Sequence, residues 1–99
     1  MTMVNCIRFT PTQGCEEDVF RETSRIFKTL DGALEKRLVA LDEGEYASVI
    51  VWKSVDHFVE VLNRDIRLID VLKPYVKPYD DGEYFHAFSG PTVDLSVYT

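Results

Sequence analysis

Few side chains in this 99-residue chain combine a chemically useful type with a useful spacing. Trp52, the sole tryptophan, ends the run YASVIVW. Successive residues of a strand face opposite sides, so Ser48, Ile50 and Trp52 share one side. Asn5, Ile7 and Phe9 share a side of an earlier alternating segment, VNCIRFT. Asn5 and Ser48 are candidate polar contacts for a ligand, and Trp52 with Phe58 are candidate walls of an apolar pocket. The plain alternative for Trp52 is a core or pocket-rim aromatic with its indole N–H hydrogen-bonded. His86, in the aromatic run EYFHAFS, is the candidate general base, because imidazole titrates near neutrality. A lone buried histidine is more often just a hydrogen-bonded part of the structure.

The remaining candidates read as structural. His57 opens a helical segment and suits a capping or solvated role. Cys6 and Cys15 form no CxxC pair and have no histidine at zinc-like spacing, so they read as small buried apolar side chains. Asp80, Asp81 and Glu83 make an acidic turn without the spacing of a calcium loop. There is no glycine-rich phosphate loop and no Ser-His-Asp or Cys-His order. Neither a metal nor a cofactor is expected.

The elements that must position these residues follow from pattern. The β-branched and aromatic run ending at Trp52 predicts a strand buried on both faces. Ser54 has the chemistry of a helix N-cap, and Phe58, Val61 and Leu62 follow at helical spacing. Residues 4–10 predict the first strand. Residues 15–30 predict a first helix with Glu16, Glu17 and Asp18 in its first turn, where negative charge complements the helix dipole. Val19, Thr23, Ile26 and Leu30 form its apolar stripe, and Gly32 suits a left-handed cap. Residues 33–41 predict an exposed strand paired as a hairpin with the Trp52 strand across Asp42-Glu43-Gly44. A second helix is predicted from Val55 to Leu72 or Lys73, ended by Pro74. Residues 83–89 predict a fourth strand after the Asp80-Asp81-Gly82 turn, and residues 92–98 an extra strand or arm.

Strand–helix–strand twice is the ferredoxin-like α+β plan, βαββαβ with an antiparallel sheet. Both helices then cover one sheet face. The other face also carries apolar residues, which predicts a homodimer that packs two sheets together.

Length places residues 1–99 in a single domain, and 45% apolar with 28% charged residues is ordinary for a globular one. The formal net charge of −6 and the scattered Lys36, Arg37, Arg64 and Arg67 argue against a nucleic-acid partner, which would need clustered cations. No apolar run reaches the roughly 20 residues that cross a bilayer. Met1-Thr2-Met3-Val4 has no basic or long apolar segment, so no signal peptide and a cytoplasmic location are expected.

The junction VIVWKSVDHF, with Trp52, Ser54 and Phe58, resembles the antibiotic-biosynthesis-monooxygenase-like family of dimeric α/β barrels. The acidic first helical turn and Gly32 extend the resemblance over most of the chain. It implies a dimeric barrel that binds a small apolar or aromatic molecule, with cofactor-independent oxygenation of a phenol- or quinol-type substrate as one activity and a non-catalytic binding module as the alternative. Departures are specific. The quinone-forming branch has Asn where this chain has Ser48, Tyr at Phe58 and Arg near Leu72, so only Trp52 is kept. The haem-degrading branch has its first-strand Asn at Asn5, but its second Trp falls at Val61 and its iron-ligating His at Val71, which disfavours haem degradation.

Overall fold

The structure, a computed structural model, describes residues 1–64 and 67–98. Its centre is a pair of antiparallel strands, β1 (Met3–Pro11) and β3 (Tyr46–Trp52), in register from Met3↔Trp52 to Phe9↔Tyr46. The outer edge of β3 takes β2 (Ala33–Ala40), with a bulge between Ala33 and Glu35. The outer edge of β1 takes two short antiparallel strands. β5 (His86–Pro91) pairs from Met3↔Pro91 to Arg8↔His86, and β4 (Val76–Lys77) pairs with Thr10 and Pro11. Helix α1 (Glu16–Phe27) connects β1 to β2, while α2 (Val55–Leu62) and α3 (Leu68–Leu72) follow β3. This is the ferredoxin-like α+β architecture that the order of elements predicts.

Register assigns the faces. Met3, Asn5, Ile7 and Phe9 stand opposite Trp52, Ile50, Ser48 and Tyr46, on the side covered by helices. From α1 come Val19, Thr23 and Ile26, the predicted stripe. Trp52, Phe9, Leu72 and Val19 are almost wholly removed from water. Each such side chain contributes about 1.5–3 kcal/mol relative to exposure. The other sheet face carries Val4, Cys6, Val49, Val51 and Phe88, with Cys6 paired to both Val49 and Phe88. No helix covers it. Val49 and Val51 are therefore only half-buried, not sealed on both faces.

Three boundaries differ from the pattern-based expectation. α1 stops at Phe27, before Leu30, because Thr29 and Leu30 bond back to the carbonyls of Ile26 and Phe27 in tighter turns, and the Thr29 hydroxyl also donates to Ile26 O at 2.7 Å. The long second helix divides. α2 closes at Asn63, a poor helix former, and α3 begins after Arg67 in extended backbone (φ −115°, ψ 157°). Asp65 and Ile66, which the expected helix included, lie outside the described residues. The fourth strand begins at His86, not at residue 83. Glu83 is held instead in a loop, its N–H donating to Asp81 Oδ1 at 2.9 Å and its carbonyl accepting from Tyr79 N at 2.8 Å. Residues 92–98 form an exposed arm ending in a short 3-10 turn.

Candidate functional site

Ser54 sets the geometry of the site. Its hydroxyl caps α2 by accepting from His57 N, and lies 2.7 Å from His57 Nδ1. That turn brings Phe58 back over the strand, with its ring centroid 6.2 Å from that of Trp52. His57, the expected capping residue, also packs against Gly32, where an added Cβ would sit 2.2 Å from His57 Cδ2. Gly32 has φ +84° but is not the expected cap of α1, whose C-cap is Lys28 in right-handed helical conformation. It serves the turn into β2, and its carbonyl accepts from Lys53 N at 2.9 Å.

Between this junction and α1 lies a cavity of about 90 Å³, open on one side. Asn5 and Ile7 of β1 and Ile50 and Trp52 of β3 form its floor. Ile26, Thr29 and Leu30 form one wall, and Phe58, Val61 and Leu62 the other. Arg64, Arg67, Leu68 and Ile69, from the junction of α2 and α3, complete it. Its surface is overwhelmingly apolar, with few groups able to orient a ligand.

Two of those groups have no protein partner. Trp52 is 1% exposed, yet its indole N–H has no hydrogen-bond acceptor among the described residues. The hydrogen-bonded core role considered for this indole is therefore not the one observed. The side-chain amide of Asn5, half-buried, likewise makes no hydrogen bond among the described residues. A buried donor left unpaired costs about 1–3 kcal/mol, which an acceptor brought by a ligand would recover.

The candidate residues separate. Asn5, Trp52 and Phe58 meet at the cavity. Ser48 shares their sheet face but not their pocket. It sits opposite Ile7 and Leu38, wholly buried, with its hydroxyl unpaired among the described residues. His86 lies on the opposite face of the sheet, because it pairs with Arg8 and not with the odd-numbered residues of β1 that line the cavity. Its ring stacks on Tyr79 at 4.0 Å, and its Nε2 is 2.8 Å from Asp81 Oδ2. It therefore belongs to a separate polar cluster. There the Tyr79 hydroxyl donates to Glu45 Oε2 at 2.5 Å, and Arg8 lies 3.7 Å from Glu45. Burial, followed by Glu45, pushes the Tyr79 phenol up to about 12. The Glu83 backbone N–H, followed by His86, holds the Asp81 carboxyl below its usual range.

Haem does not fit the cavity. Val61 is part of its wall, Val71 is a half-buried residue of α3, and no imidazole, thiol or phenol lines it among the described residues. The residues that sequence reasoning missed are Arg64 and Arg67, which read as isolated basic residues within one long helix. Among the described residues no helix is long and apolar enough to cross a membrane.

No family profile matches the sequence, and no curated protein matches it. Solved structures do. Rv0793 from Mycobacterium tuberculosis superposes with a TM-score of 0.74 at 12% identity, covering 97% of this chain and 99% of that one. A mutant of SnoaB, a cofactor-independent oxygenase from Streptomyces nogalater, gives 0.70 at 17% identity over 94% of each chain. A Chloroflexus aurantiacus protein provisionally named an antibiotic biosynthesis monooxygenase gives 0.70 at 13% identity over 95% of each. The fold of this chain is that of the antibiotic-biosynthesis-monooxygenase-like proteins, as Trp52, Ser54 and Phe58 at the strand-to-helix junction implied.

Proposed function

We propose that this protein binds a small apolar or aromatic molecule in the cavity beneath Trp52 and Phe58, and that it oxygenates a phenol- or quinol-type substrate there without a cofactor. The observation that carries the reading is the unpaired indole N–H of Trp52 at an apolar cavity. It is a buried donor with no acceptor among the described residues. Asn5 supplies a second polar contact and Phe58 a wall. SnoaB, of the same fold, is a cofactor-independent oxygenase.

The reaction would use one O₂ per substrate. For a phenol going to a quinone, a ring C–H carbon becomes C=O with one oxygen atom. The other atom leaves as water with the hydrogens of that C–H and of the O–H, and the ring supplies the four electrons. The protein contributes orientation and exclusion of water.

A second reading, a non-catalytic binding module, is favoured by one feature. No carboxylate, imidazole, thiol or phenol lines the cavity among the described residues, so none of those residues offers a base for the proton. The test follows Trp52 fluorescence and oxygen uptake together over a panel of phenols and quinols. Quenching with uptake supports the oxygenase, and quenching alone the module. No response to any compound rejects the site.

The proposed assembly is a homodimer through the sheet face that the helices leave open. The net charge of −6 keeps nucleic acid outside the proposed partners.

A further inference from the structure

The only charged side chains among the described residues of the cavity lining are two cations, Arg64 and Arg67. They stand on either side of the break between α2 and α3, in a chain whose net charge is −6. Arg64 is braced and loosely paired. Its Nη1 donates to the carbonyl of Thr29, also in the lining, at 3.0 Å, and its Nη2 makes a long ion pair of 4.0 Å with the exposed Glu60. Arg67 pairs with Asp70 through Nε at 3.3 Å, and its terminal nitrogens make no hydrogen bond among the described residues. A guanidinium carries five N–H donors, so both retain donors for an anion. Inside, the indole N–H of Trp52 is a further unpaired donor, itself 1% exposed. Cations thus stand at the helix break, and the otherwise apolar floor adds the Asn5 amide, which can donate or accept.

Size limits the rest. A cavity of about 90 Å³ is smaller than the roughly 150 Å³ of an apolar cavity that holds benzene. A one-ring ligand would therefore sit with part of its body at the open side, and a larger one would not be enclosed.

We infer that the ligand of this pocket is a small organic anion, a carboxylate or a phenolate on a body of about one ring, with its charge met by Arg64 and Arg67. This rests on the reading of the cavity as a ligand site and adds the ligand's charge and size. It also suits a lining that holds no base among the described residues. Two guanidiniums stabilise the ionised form of a phenol and lower its pKa, so the electron-rich anion forms without a protein group positioned to take the proton.

Benzoate, benzamide and 4-nitrophenol, titrated at neutral pH against Trp52 fluorescence, separate the possibilities. Benzamide has nearly the shape of benzoate without the charge. The expected result is benzoate binding about tenfold tighter than benzamide, the scale of a hydrogen bond to a charged group. Added salt should shrink the ratio, and 4-nitrophenol should bind as its coloured phenolate if phenolates are taken as well as carboxylates. In Arg64→Gln/Arg67→Gln the benzoate-to-benzamide ratio should fall towards one. Arg67→Gln alone, which keeps the brace on Thr29, should lower it part of the way and serves if the double variant does not fold. Equal affinity for benzoate and benzamide, or an unchanged ratio in the folded variants, overturns the anion while leaving the cavity as a ligand site. No response to any of the three compounds overturns both.

Discussion

Trp52 and Phe58 meet where β3 gives way to α2, ring centroids 6.2 Å apart and planes tilted by 50°. The indole fills the core on one side and borders the cavity on the other, so its two roles can be separated by mutation. Trp52→Ala should destabilise the fold by about 3–5 kcal/mol, the cost of emptying a large buried aromatic site. Trp52→Phe keeps most of the apolar volume and removes the N–H. It should fold, with a smaller loss in a denaturant titration, yet bind cavity ligands more weakly by calorimetry. Unchanged affinity in Trp52→Phe would show that the N–H makes no ligand contact.

Ser48 gives the opposite expectation. Its hydroxyl is wholly buried and unpaired among the described residues, so it carries a desolvation cost without a return. Ser48→Ala should be neutral or stabilising by up to about 1 kcal/mol. It should leave ligand affinity unchanged, because Ser48 does not line the cavity. A marked loss of affinity would mean that the cavity reaches further along β3 than Ile50.

The junction was legible because several local signals agree there. β-branched and aromatic residues run to Trp52, Ser54 supplies a cap, and Phe58 returns at helical spacing. Gly32 was legible because its position requires positive φ. Alternation grouped Ser48 with Trp52 and, separately, Asn5 with Ile7, and the pairing of β1 with β3 puts both groups on one sheet face. A shared face does not fix depth, however, and Ser48 lies in the core beyond the cavity. The break after Leu62 was not legible. No proline or glycine marks it, and the apolar spacing runs on to Leu72. The available signal was Asn63, with Arg64 and Arg67 crowded after it. Missing the break concealed the two cations of the pocket. The placement of His86 depended on register with β1, a long-range pairing that composition does not encode.

Tyr79 predicts a loss of stability in base. Its phenol is raised from 10.0 to about 12, chiefly by burial and then by Glu45. A group whose folded pKa exceeds its unfolded value holds its proton more tightly when folded. That contribution is fully present below pH 10 and lost as pH rises through 10 towards about 12. Denaturant midpoints measured across this window should fall, and the fall should be smaller in Tyr79→Phe. Absorbance titration should show a late-ionising phenol that is absent from that variant. An identical alkaline profile in both proteins would assign the loss to other groups.

The open sheet face predicts association. Val4, Cys6, Val49, Val51 and Phe88 lie on it, and Phe88 is 63% exposed. The arm after β5 adds Val93, Leu95, Val97 and Tyr98, each at least 60% exposed. Single exposed apolar residues are ordinary, but contiguous patches beyond a few hundred Å² are rare on monomers. Two copies packed face to face would cover the sheet of each, and a two-fold axis makes the same patch serve both. The dimer should bury at least about 1,200 Å² in total, the lower range for a specific interface. Sedimentation equilibrium at micromolar concentration should give twice the 11.4 kDa chain mass. Val51→Glu places a charge in the middle of that face and should shift the equilibrium to monomer, whereas a charge at Val59, on the exposed outer side of α2, should not. Cys6 provides an independent probe. Burial already pushes its thiol up within one chain, and a second sheet would shield it further. Its labelling should therefore slow as protein concentration rises and become independent of concentration in Val51→Glu. A single 11.4 kDa species at all concentrations, with Cys6 labelling at one rate throughout, would mean that the face stays open to water.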